Sequence, residues 1–97
     1  MYGTIAQLNV KPGQLEAFQK GMSGFEEMDS EGYVATYAYQ MDADPNVLYM
    51  VVMFESKEAY HTNAQSDETN QQFMKMMEFL TTEPEWHDGE IIYENEA

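Results

Sequence analysis

An α+β fold with its elements in the order β-α-β-β-α-β is what this sequence predicts, and three observations carry that reading. Two segments rich in Tyr, Val and other β-formers, Tyr33 to Met41 and Val47 to Phe54, flank a turn and read as a hairpin. Leu15, Phe18, Met22 and Phe25 recur at helical spacing, which predicts one stripe of a helix facing a core. Ser56 and Ser66 each stand ahead of a run that can continue as a helix, the position where a hydroxyl satisfies free backbone N–H groups.

Taken in order, Met1 to Val10 predicts the first strand, with Ile5, Leu8 and Val10 apolar and Thr4, Gln7 and Asn9 polar. Lys11-Pro12-Gly13 breaks it, and Pro suits the first turn of the helix that follows. Glu31-Gly32 marks a turn, after which Tyr33, Tyr37 and Tyr39 share one side of the second strand. Asp42-Ala43-Asp44-Pro45-Asn46 connects to the third strand. Its letters mimic a calcium loop, but Val47 and Met53 replace the required Gly and Glu, so a turn rich in Asx residues explains it. A short helix runs from Lys57 to about Ala64 and a longer one follows Ser66, with Phe73, Met76, Met77 and Leu80 on its buried side. Trp86 to about Glu94 closes the sequence as a strand around Ile91, Ile92 and Tyr93. The result is one domain over residues 1–97, a ferredoxin-like four-stranded antiparallel sheet.

Patterning adds a second copy. Helices on one face leave the other wet, and such a strand should alternate apolar with polar. The strand Val47 to Phe54 is apolar at every position, so both faces ask for cover. A homodimer whose sheets pack face to face, closing a dimeric α/β barrel, supplies it.

Composition excludes several classes of function. Four Lys, no Arg and eighteen acidic residues give a formal net charge of −14, which repels nucleic acid and anionic membrane. Without Arg there is no bidentate clamp for phosphate or carboxylate. With no Cys, disulfides, thiolate catalysis and Cys-based metal sites are out. Neither a secretory leader pattern nor an apolar run of about 20 residues is present, and the expected location is cytoplasmic. The acidity itself reads as a solvated surface that favours solubility, or as an adaptation to a salty interior.

The string Phe54-Glu55-Ser56-Lys57-Glu58-Ala59-Tyr60, at a strand-to-helix junction, resembles the antibiotic-biosynthesis monooxygenase family of small dimeric α/β-barrel proteins. The resemblance implies an oxygenase that needs no cofactor: a quinol- or anthrone-like substrate is deprotonated to a carbanion that reacts with dioxygen directly. It also implies a pocket between sheet and helices. Ala35-Thr36-Tyr37 and Ala59-Tyr60 match segments that carry pocket tyrosines in anthrone-type members, which makes Tyr37 and Tyr60 candidate catalytic groups. Asn63 stands where another common pattern of the family has His, and His61 is a further candidate base. Met50 and Phe54 occupy the positions of an Asn and a Trp in anthrone-type members, and Met74 falls near a pocket Arg. Ala6, Asn63 and Phe73 stand where haem-degrading members carry Asn, Trp and the axial His, so haem is not expected.

Met22, Met50, Phe54, Phe73, Met74 and Met77 are the expected lining of an apolar pocket, with Met28 and Met76 as further soft fillers. Each candidate also has a plain structural use. A Tyr on a strand or helix packs its ring and satisfies its hydroxyl at an edge, and Met fills irregular core gaps. Two functions therefore remain open: an oxygenase of this kind acting on a small apolar aromatic or quinol-like molecule, and a non-catalytic dimer that binds such a molecule.

Overall fold

The structure, a computed structural model, describes residues 1–26 and 31–97, without the side chains of residues 23–26. The expected roles of Phe25 and Met28 thus lie outside the described residues. Among the described residues, four strands and three helices follow in the order β1 (Tyr2–Asn9), α1 (Leu15–Glu26), β2 (Tyr33–Gln40), β3 (Val47–Phe54), α2 (Lys57–Ala64), α3 (Asp67–Met77) and β4 (Trp86–Glu90). The strands form one antiparallel sheet in the order β2-β3-β1-β4. This is the ferredoxin-like arrangement.

Local chemistry sets the boundaries. Asn46 N–H donates to Asp44 Oδ1 at 3.0 Å, an Asx turn that links β2 to β3. The Oγ of Ser56 accepts from Ala59 N and that of Ser66 from Thr69 N, each at 3.1 Å, so both serines cap as their sequence positions predict. All three helices cover one sheet face. Ala6, Leu8 and Val10 meet Leu48 and Met50 there, with Phe18 from α1, Met76 from α3 and Leu80 just beyond it.

Two expectations change. A bulge separates Tyr33, which pairs with Phe54, from Ala35, which pairs with Met53. One extra residue reverses which way the side chains point. Tyr33 therefore stacks on Phe54 on the helix-covered face, with ring centres 5.5 Å apart, while Tyr37 and Tyr39 lie on the other. The last strand is also shorter than the apolar letters suggest. Its pairing ends where β1 does, at the bond from Ile91 N–H to Met1 O, and Ile92 and Tyr93 are 93% and 80% exposed.

The uncovered face carries Ile5, Tyr37, Tyr39, Tyr49, Val51 and Met53 side by side. Ile5, Tyr37 and Tyr39 are each half exposed or more. Among the described residues no helix is long and apolar enough to cross a membrane.

Candidate functional site

Tyr60 lies in the first turns of α2, whose start is fixed by the Ser56 cap. Gly32 seats this helix against the turn before β2. Its φ of +79° suits glycine, and a Cβ there would come within 2.7 Å of Ala59 Cβ. The Tyr60 ring is held edge-on by Phe54 at 5.8 Å and tilted against Tyr2 at 5.4 Å. Both partners stand at the same end of the paired strands β1 and β3.

From that position the Tyr60 hydroxyl donates to Asp88 Oδ1 at 2.8 Å. Asp88 is directly opposite Thr4 in the pairing of β4 with β1, so both face the helices. Thr4 is only 4% exposed, and its Oγ1 meets no partner with hydrogen-bond geometry. The site thus joins a phenol, a carboxylate and a buried hydroxyl without a partner, with aromatic rings around them. Burial and then the Asp88 hydrogen bond push the Tyr60 hydroxyl up to about 12, with Thr4, close by, opposing the rise. Tyr60 is therefore a standing proton donor at neutral pH, not a base. The ring of His61 lies 5.4 Å from that of Tyr60 and 5.9 Å from that of Tyr2, and the residue is exposed. Lys57 Nζ sits 5.9 Å from the Tyr2 ring centre and brings positive charge to this end of the sheet.

The other predicted residues are dispersed. Tyr37 is on the uncovered face, 57% exposed, with the sheet between it and Tyr60. Asn63 joins α2 to α3: its Oδ1 accepts from Thr69 Oγ1 and its backbone oxygen from Ser66 N, each at 3.0 Å. Within one chain, Tyr37, Tyr60 and Asn63 do not converge on one cavity. Met50 and Phe54 are buried, Met22, Phe73 and Met77 half-buried, and Met74 is 69% exposed on α3. Phe73 rests on Trp86, with ring centres 5.8 Å apart.

Open hollows lie on both faces of the sheet. One of about 350 Å³ lies between α1 and α3 over Phe18, Met22, Met76 and Phe79. The other, about 310 Å³, lies on the uncovered face beside Ile5, Gln7, Tyr49, Thr82 and His87. Neither is lined by Tyr60 or Asp88; Asp88 is exposed and Tyr60 half-buried. Among the described residues no group of three or more His, Asp or Glu is placed to hold a metal ion.

Sequence reasoning missed Asp88 and Thr4. A signal existed for Asp88: it stands two residues after Trp86, so in a strand it faces the same way as an inward Trp.

A family model described as antibiotic biosynthesis monooxygenase matches residues 1–76. No curated protein matches the chain. Among solved structures, a conserved protein from Methanosarcina mazei Go1 is 24% identical, with a TM-score of 0.79 over 91% of this chain and 89% of that one. A candidate antibiotic biosynthesis monooxygenase from Caulobacter crescentus CB15 gives a TM-score of 0.82 at 15% identity, over 95% and 90% of the two chains. Another from Nitrosomonas europaea gives 0.79 at 15% identity, over 96% and 100%. At these identities the structural likeness speaks to the fold.

Proposed function

Because the chain belongs to the antibiotic biosynthesis monooxygenase family, we propose that it is a cofactor-independent oxygenase acting on a small apolar aromatic or quinol-like molecule. The observation that carries the reading is the Tyr60 hydroxyl, set among the rings of Tyr2 and Phe54 and bonded at 2.8 Å to Asp88. Aromatic walls suit an aromatic guest, and a phenol that stays protonated is a donor for the oxyanion that forms when such a guest loses a proton. The carbanion then takes up dioxygen; one oxygen atom stays in the product as a carbonyl and the other leaves as water.

Of the remaining sequence candidates, Asn63 serves by holding α2 against α3, and the His61 ring flanks that of Tyr60. Tyr37 belongs to the face that a second copy covers. That face, with Ile5, Tyr37, Tyr39 and Tyr49 exposed, supports a homodimer closed sheet to sheet. Sedimentation at micromolar concentration should give about twice the 11.2 kDa chain mass, and Tyr37→Asp should return it to a monomer. A wild-type monomer would remove the barrel from this reading.

A second reading, a non-catalytic dimer that binds small hydrophobic molecules, is favoured by Met50, Phe54 and Met74, which cannot donate to an oxyanion. Oxygen uptake with an anthrone or quinol separates the two. The oxygenase consumes oxygen above the spontaneous rate, and Tyr60→Phe slows it roughly tenfold to ten-thousandfold. If the compound raises the melting temperature but no oxygen is consumed, the binding reading stands alone.

A further inference from the structure

We propose that Asp88 is the base that takes the proton from the substrate, an assignment that rests on the oxygenase reading and gives it its missing proton acceptor. Tyr60 cannot fill that role at neutral pH, because burial and the Asp88 hydrogen bond push its hydroxyl up to about 12, and Tyr37 lies on the other face of the sheet. Asp88 has the right chemistry and the right address. It projects from β4 toward the helix-covered face, opposite the buried Thr4, and it accepts the one phenolic hydrogen bond made to a carboxylate among the described residues. His61, the other candidate base, offers this cluster ring contacts alone.

The step balances without a further reagent. The acidic C–H bond of the guest breaks, its proton passes to an Asp88 carboxylate oxygen, and the electron pair delocalises onto the guest's carbonyl oxygen. Protonation of Asp88 removes the charge that held the Tyr60 hydroxyl. That hydroxyl is then free to turn to the new oxyanion, and Thr4 Oγ1, buried without a partner, is a second donor beside it. One hydrogen bond thus serves the ground state and, redirected, the charged intermediate.

The test reads proton transfer apart from oxygenation. Anthrone is incubated with the protein in heavy water without oxygen, and loss of its methylene protons is followed by NMR. Wild type should accelerate the exchange, and Asp88→Asn should lower it on the order of a hundredfold to ten-thousandfold. The Asn carbonyl still accepts from Tyr60, so the melting temperature should hold, and Asp88→Glu should recover part of the rate. Exchange by a folded Asp88→Asn protein at the wild-type rate would overturn the assignment, as would loss of exchange in His61→Gln alone. If Asp88→Asn does not fold, Asp88→Glu decides: no exchange difference from buffer in a folded Glu variant counts against a carboxylate base. Wild type that exchanges protons but consumes no oxygen would refute the oxygenase reading and leave Asp88 as the base. Wild type with no exchange refutes both.

Discussion

Replacing Thr4 by Val should make the protein more stable and less able to handle its ligand. Thr4 is 4% exposed and its Oγ1 meets no partner with hydrogen-bond geometry, so folding strips the hydroxyl of water and returns little. Such a loss costs about 1–3 kcal/mol. Val has the same branched shape and an equal preference for strands, so the exchange leaves packing and backbone alone. Some of the penalty is relieved by the nearby Tyr60 hydroxyl, which sets the expected gain at the low end, about 1 kcal/mol. For a chain of 97 residues that corresponds to a rise in melting temperature of about 4–8 °C. In urea it is a midpoint shift of about half a molar with an unchanged slope. Protein concentration must be matched, since a dimer's stability depends on it. Oxygen uptake or ligand-induced stabilisation should fall in the same variant. A lower midpoint would show that the hydroxyl is bonded in the native state, and the argument for a donor held in reserve would fail.

Three further outcomes follow from the same geometry. Tyr60 keeps its proton up to about pH 12, against an ordinary value of 10.0. The folded state therefore holds a proton that the unfolded chain has lost between those values, so stability is level below pH 10 and falls as pH rises toward 12. Tyrosinate absorbance of wild type minus Tyr60→Phe should show the late titration, and Asp88→Asn should bring it earlier. Gly32→Ala should destabilise by roughly 1–3 kcal/mol, because it places a side chain at positive φ and drives its Cβ into Ala59; an unchanged urea midpoint would show that α2 can slide away. With a net charge of −14, the proposed dimer should tighten as salt is added, and weakening on added salt would point to ion pairs across its interface.

The sequence by itself determined the elements and their order, because caps, turns and periodicity are local. Ser56 and Ser66 start helices wherever they are, and Leu15, Phe18 and Met22 need only each other's spacing to define a face. It also makes β3 apolar on both sides, which asks for cover on both faces of the sheet. What only the tertiary structure decided is which residues meet. The bulge after Tyr33 depends on how β2 registers against β3, and it sends Tyr37 away from Tyr60, although both tyrosines look alike as letters. The final strand stops at Glu90 because β1 offers no further partner, whatever the β-propensity of Ile91, Ile92 and Tyr93. Asp88 reads as one of eighteen acidic residues until the pairing of β4 with β1 sets it beside Thr4 and beneath Tyr60. A hydrogen bond between residues 28 positions apart is a property of sheet register and helix packing, and neither is written in the residues that make it.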